Sequence, residues 1–141
     1  MLTQRIVRAF PPNYATLKKA FDLDPAAGVI FSYGELIFIP NQRTPLPPAL
    51  VAHEAVHGER QMAHPRGVVG LWDDYVADPA FRLAEELPAH RAEYAWHRLH
   101  EGRGGRERAL TKIAARLSGP LYGRMIDFEK AKEMIEERVA A

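Results

Sequence analysis

His53-Glu54-Ala55-Val56-His57 decides the reading of this chain. The pattern is H-E-x-x-H. On an α-helix, residues four apart lie on one face, so His53 and His57 can present two imidazole nitrogens to one metal ion. Glu54 is one position on from the first histidine. Its carboxylate therefore falls beside such an ion rather than on it, where it can take a proton from an attacking water. The chemistry implied is zinc-dependent hydrolysis of an amide, in the simplest case a peptide bond, with Glu54 as the catalytic base.

The motif needs a helix, and its neighbours supply one. Pro47 and Pro48 suit a helix start, because a first-turn residue needs no amide hydrogen and the ring presets φ. No proline follows from Ala49 to Met62, and Leu50, Val51, Ala55 and Met62 recur at helical spacings, which predicts an apolar stripe to bury. Gly58 weakens the helix by about 1 kcal/mol relative to alanine. His64-Pro65-Arg66-Gly67 ends it.

Two histidines on a helix can also be solvated or core residues, so a third ligand matters. A catalytic zinc takes three protein ligands and keeps one position open. The extension H-E-x-x-H-x-x-G-x-x-H fails here: Arg60 stands at the glycine position, Ala63 at the histidine position, and His64 is one residue out of register. A glutamate from a second helix fits better. Asp78-Pro79 reads as an N-cap followed by a first-turn proline, and the run from Phe81 to Trp96 is helical in composition apart from Pro88. That proline is expected to kink the helix or restart it, since it lacks an amide hydrogen and crowds the carbonyl of Ala84. The candidate ligands are Glu85, Glu86, His90 and Glu93, of which Glu86, His90 and Glu93 share a face. Glu86 is favoured because Ala89, three residues on, leaves room for close approach to the His53–His57 helix. Glu93 and Glu85 are the alternatives, and a solvated helix face is the bland reading of the cluster.

The residues around the motif carry a resemblance. Phe31-Ser32-Tyr33-Gly34-Glu35 with Ile39-Pro40, the H-E-x-x-H helix with Gln61, Leu71-Trp72 and Tyr75, and Phe81-Arg82-Leu83 followed by Glu86-x-x-Ala89-x-Arg91 resemble a family of small phage and prophage zinc metallopeptidases. These are of the gluzincin-like type, H-E-x-x-H plus a distal glutamate. The resemblance runs from about Phe10 to Trp96. It implies a minimal zincin-like fold, with His53, His57 and Glu86 as zinc ligands and Glu54 as base. The H-E-x-x-H and E-x-x-A elements are shared by many gluzincin-like peptidases, so they identify a chemistry better than a substrate. Pro88 and His90 depart from the family pattern, in which a non-proline and often a tyrosine are expected.

Zincin-type peptidases set an edge strand beside the metal, to which an extended substrate adds through main-chain hydrogen bonds. Val29-Ile30-Phe31-Ser32-Tyr33 and Leu36-Ile37-Phe38-Ile39 are rich in β-branched and aromatic residues. Gly34-Glu35 between them predicts a tight turn and a β-hairpin. Elsewhere the chain reads as support. Gln4 to Ala9 is expected as a short strand, and Pro12 to Leu23 as a helix with Tyr14, Leu17, Ala20 and Phe21 inward. His64 to Asp74 is expected as a loop whose Trp72, with Tyr75, walls a cleft. Further helices are expected at Arg106 to Leu117 and at Met125 to Val139, the last with Ile126, Met134, Ile135 and Val139 on its apolar face. The fold class expected is α+β, mostly helical, with a small sheet beside the motif helix and one domain spanning 1–141.

Composition bounds the rest. A chain of 141 residues can bury roughly 68–70% of its unfolded surface, enough for a core without cross-links. There is no cysteine, which excludes disulfides and thiolate zinc ligands and suits a reducing compartment. The opening Met1 to Arg8 carries charges where a signal peptide needs an apolar run, and no segment approaches a membrane span. A cytoplasmic location is expected, in the host cell or with the virion if the chain is phage-encoded. The formal net charge of +1 gives no global pull toward nucleic acid. Arg91, Arg98, Arg103, Arg106, Arg108, Lys112 and Arg116 are interrupted by Glu93, Glu101 and Glu107 and read as a solvated helical face. His97 and His100 read as surface residues.

The expected partner is a peptide or protein substrate, cell-wall peptide included. Tyr75, Tyr94 and His90 are the candidates for stabilising a tetrahedral oxyanion. The alternative reading is a metal-containing phage structural or protein-binding module without turnover.

Overall fold

A computed structural model describes residues 2–41 and 45–140, with side chains through Glu137. The fold is mostly helical α+β. Strand β1 (Arg5–Val7) and helix α1 (Tyr14–Phe21) precede a hairpin of β2 (Phe31–Tyr33) and β3 (Leu36–Phe38). Helices α2 (Pro48–Ala63), α3 (Gly67–Ala77), α4 (Pro79–His100) and α5 (Arg103–Leu117) follow. A turn of 3₁₀ helix at Pro120–Tyr122 then leads to α6 (Phe128–Ala140).

The sheet order is β1-β3-β2, with β1 parallel and β2 antiparallel to β3. The hairpin pairs Phe31 with Phe38, Ser32 with Ile37 and Tyr33 with Leu36. Gly34 opens its two-residue turn at φ +60°, the position where a II′ hairpin turn takes glycine. β2 is thus an edge strand, and it packs on α2. Alternation puts Phe31 and Phe38 on one face, where they form a small core with Leu17 of α1. Asp22 ends α1 in the left-handed region at φ 51°. Ala20, expected inward, is exposed.

α2 follows the expected bounds, and of the expected stripe Ala55 is buried and Val51 packs against the Ile37–Ile39 cluster, but most of the buried face is polar. His53, Glu54, Ala55, Gly58 and Gln61 are buried, whereas Met62 is 47% exposed. The face that packs is the polar motif face, because α4 and the hairpin bring matching polar groups to it. Gly58 explains itself by close approach. A Cβ there would stand 2.6 Å from the carbonyl oxygen of Gly34 and 2.5 Å from Gln4 Nε2, so only glycine lets the hairpin turn and the N-terminal segment sit this close.

His64 to Asp74 is not a loop: α3 begins at Gly67. A short turn closes through Gly67 N–H to the His64 carbonyl, 2.9 Å. Asp74 then ties turn to helix by accepting from His64 Nε2 (2.9 Å) and Arg66 Nη2 (2.6 Å). Gly70 lies under the Arg66 side chain, 2.3 Å from where a Cβ would stand, so this glycine serves packing and does not break the helix.

α4 starts as expected, with the Asp78 side chain accepting from Ala80 N–H at 2.9 Å and Pro79 in the first turn. The helix continues through Pro88. Ala84, whose carbonyl loses its helical donor there, is on the exposed side, where water can replace it. The largest core lies between α3, α4, α5 and α6, around Leu71, Leu87, Tyr94, Leu110, Ile113, Leu117 and Ile135. α5 begins three residues before the expected start. Ile135 is fully buried, with Met134 and Ile126 packed beside this core; the side chain of Val139 lies outside those described. No helix among the described residues is long and apolar enough to cross a membrane.

Candidate metal centre

α2 and α4 cross so that His53, His57 and Glu86 meet. His57 Nε2 is 3.2 Å from His53 Nε2 and 3.1 Å from Glu86 Oε1, and His53 Nε2 is 3.8 Å from the same oxygen. All three donor atoms lie within 4.8 Å of one another. The point equidistant from them is about 2 Å from each, the length of a zinc–nitrogen or zinc–carboxylate bond. Two imidazoles and one carboxylate also form a donor set used by catalytic zinc. The residues present fit the ion.

The other candidate ligands have different places. Glu85 turns to Arg60 and accepts two hydrogen bonds, from Nε at 2.7 Å and Nη2 at 3.0 Å. Glu93 Oε1 accepts from His53 Nδ1 at 2.8 Å. That bond fixes the tautomer and leaves Nε2 with its lone pair toward His57 and Glu86. Arg116 of α5 holds Glu93 in turn, with Nη2 at 2.7 Å from both oxygens.

Glu54 is 6% exposed and also lines the cleft beside these donors, its Oε1 4.0 Å from His53 Nε2. Its other oxygen, Oε2, is 2.7 Å from Ser32 Oγ, which also lies 2.9 Å from the Glu54 carbonyl oxygen. The edge strand therefore aims the carboxylate. Gln61, one turn beyond His57, ties the same strand down by donating to the Ser32 carbonyl at 3.0 Å and accepting from Gly34 N–H at 2.7 Å.

Tyr75, Tyr94 and His90, the oxyanion candidates, are otherwise engaged. Tyr75 donates to Glu86 Oε2 at 2.6 Å and so orients the third donor. Tyr94 is buried in the helical core. His90 is fully buried beneath His53, with ring centroids 4.6 Å apart, and its Nδ1–H donates to the Glu86 carbonyl at 2.8 Å.

Burial and charge act together on these groups. Burial works against a charged His57, but the Glu86 carboxylate outweighs it and, with Glu54 and Glu85, raises His57 to about 9. Burial would raise Glu86, yet His57, His90 and His53 hold it well below the usual carboxylate range. Burial likewise opposes the ionisation of Glu93, which His53 and Arg116 nevertheless bring down to about 2. His90 is lowered to about 3, by burial first and then by its neighbour His53. Burial and the charge of Glu86 push both Tyr75 and Tyr122 well above their ordinary value near 10, so both phenols stay protonated.

Over this floor opens a cleft of about 600 Å³, counting the space continuous with solvent. Leu17, Phe21, Ile30, Leu71, Trp72 and Leu121 give it apolar walls, and Trp72 and Tyr75 line it as the sequence suggested. Tyr122 lines it too, and nothing in its local sequence marks it: it sits in the short turn after α5, outside every motif. Ser32 and Arg116 were also invisible as site residues, since each reaches the site from a distant element. No protein-family model, curated protein or solved structure matches the chain.

Proposed function

We propose that the chain is a zinc-dependent hydrolase of peptide bonds, of the gluzincin-like kind that its sequence resembles. The observation that carries this reading is the convergence of three donors from two helices with a fourth acidic group, Glu54, beside them on the cleft side. His53, His57 and Glu86 would hold the ion. Bound zinc would polarise the scissile carbonyl and bring the pKa of its water from about 15.7 toward about 7. Glu54 takes the proton of the attacking water and passes it to the leaving amine. Ser32 keeps that carboxylate aimed, Glu93 keeps the His53 tautomer, and Tyr75 keeps Glu86 in place.

The apolar walls favour a substrate with a bulky apolar side chain near the bond cut. The outer edge of β2 offers main-chain groups for an extended peptide before Ser32, since Gln61 already uses the Ser32 carbonyl. The alternative, a binding or assembly module with a structural metal, calls for a fourth protein ligand. His90 and Glu93 were the residues available for that: Glu93 is turned to His53 and Arg116, and His90, whose Nδ1 is bonded to the Glu86 carbonyl and whose Nε2 has no partner, is not among the donors that converge.

The test is metal analysis joined to a cleavage assay. Purified protein is expected to hold about one zinc per chain, and His53→Ala or His57→Ala to hold none. A mixed peptide library read by mass spectrometry should show products that vanish with a chelator. Protein without metal, or cleavage indifferent to the chelator, refutes the reading.

A further inference from the structure

Negative charge collects on the carbonyl oxygen of a peptide under attack, and a preorganised hydrogen-bond donor aimed at it lowers the barrier. The side-chain donors on the cleft wall are few and nearly all committed. The Ser32 hydroxyl is spent on Glu54, the Gln61 amide on β2, the Tyr75 hydroxyl on Glu86 and His53 Nδ1–H on Glu93. Trp72 Nε1 has no partner but is buried inside the wall. The Tyr122 hydroxyl is different. Tyr122 lines the cleft that holds His53, Glu54, His57 and Glu86, and its hydroxyl makes no hydrogen bond among the described residues.

The ring is held as a positioned donor must be. Gly123, at φ +84°, closes the turn through its N–H to the Pro120 carbonyl, 3.0 Å. The Tyr122 carbonyl accepts from Arg82 Nη1 at 2.9 Å. Arg82 is itself buried and also donates to the carbonyls of Tyr75 (3.0 Å) and Val76 (3.1 Å), so one guanidinium ties Tyr122 to α3. The Tyr122 ring meets His90 edge-on at 5.5 Å, and His90 meets His53 the same way at 4.6 Å. With backbone and ring fixed, the hydroxyl rotor is the freedom left.

We propose that Tyr122 is a catalytic residue of this site, its hydroxyl donating a hydrogen bond to the scissile carbonyl oxygen as that oxygen gains charge. The proposal rests on the hydrolase reading above. No bond is made or broken at Tyr122: the proton stays on its oxygen, and water and Glu54 account for the atoms transferred.

Tyr122→Phe removes the hydroxyl and keeps the ring. The probe is a phosphinic pseudo-dipeptide with leucine side chains, whose tetrahedral oxygens stand in for the attacked carbonyl. In zinc-loaded Tyr122→Phe its affinity should fall at least about tenfold, and kcat on the best-cleaved library peptide about 10²–10³-fold with KM little changed. Zinc affinity and thermal midpoint should match the parent. Tyr75→Phe should differ, weakening zinc itself through Glu86. Probe affinity and kcat within about twofold of parent in Tyr122→Phe overturn the proposal while the hydrolase reading stands. If zinc-loaded parent fails to bind the probe and cleaves no peptide, the hydrolase reading fails and takes the proposal with it.

Discussion

Glu93 Oε1 lies 2.8 Å from Nδ1 of His53, the ring nitrogen opposite the one that faces His57 and Glu86. The contact extends the site outward by one layer, from α2 through Glu93 on α4 to Arg116 on α5. A carboxylate in this position makes the imidazole a better ligand and fixes its orientation. Glu93→Gln keeps an acceptor oxygen but loses the charge that Arg116 neutralises. Zinc affinity should fall by about 10- to 100-fold, with the metal still bound at saturating concentration. Competition against a chromophoric chelator measures this. An unchanged affinity would mean that Glu93 serves packing alone.

Under the proposed hydrolysis, Glu54 as base and Ser32 as the group that aims it can be told apart. Glu54→Gln keeps size and burial but cannot accept the water proton, so zinc content should hold while kcat drops by about 10²–10⁴-fold. Ser32→Ala removes a hydrogen bond to a charged group, of the order of 1.5–3 kcal/mol, and its loss should be the smaller, about 10- to 100-fold. Steady-state rates on one library peptide decide between them. Parental turnover in zinc-loaded Glu54→Gln places the base elsewhere.

What could be read from the sequence was local. The H-E-x-x-H helix, the Asp78-Pro79 start of α4 and the Gly34 turn each follow from a few neighbouring residues whose backbone preferences agree. α3 was missed because Gly67, Gly70 and Pro65 look like loop residues, while the helix is held by Asp74 reaching back to His64 and Arg66. The choice among Glu85, Glu86 and Glu93 depends on how α2 and α4 cross, and spacing alone leaves all three open. Tyr122 comes from beyond α5, so only the folded chain brings it to the cleft. Periodicity also misjudged Met62, because the face of α2 that is buried is polar.

Metal-free protein should titrate in two directions. His57, raised from 6.5 to about 9, stabilises the fold below about pH 6.5, and its contribution disappears as pH climbs through 9. His90, lowered from 6.5 to about 3, acts oppositely: stability is kept above about pH 6.5 and lost as pH falls toward 3. Glu93, lowered from 4.5 to about 2, adds a further loss on the acid side, as pH falls from about 4.5 through 2. The thermal midpoint of metal-free protein should therefore decline on both sides of neutrality. Zinc must displace the proton that His57 carries at about pH 6, where a zinc-bound water is still largely un-ionised, so loading should release about one proton. Calorimetry in two buffers of different ionisation enthalpy counts it, and a value near zero would contradict the His57 assignment.

Gln61 places one side-chain amide where a neighbouring strand's peptide group would pair, its two ends satisfying the Ser32 carbonyl and the Gly34 N–H. Both of those hydrogen bonds are buried and Gln61 is 2% exposed, so water is poorly placed to substitute. Gln61→Met keeps the volume and removes both bonds. Each buried group left unpaired costs about 1–3 kcal/mol, so urea unfolding should show a loss of at least about 2 kcal/mol at an unchanged slope. Because Ser32 also aims Glu54, the loosened edge should lower kcat even in protein that remains folded and zinc-loaded. A Gln61→Met variant with parental stability and turnover would show that the β2 edge is held by the hairpin alone.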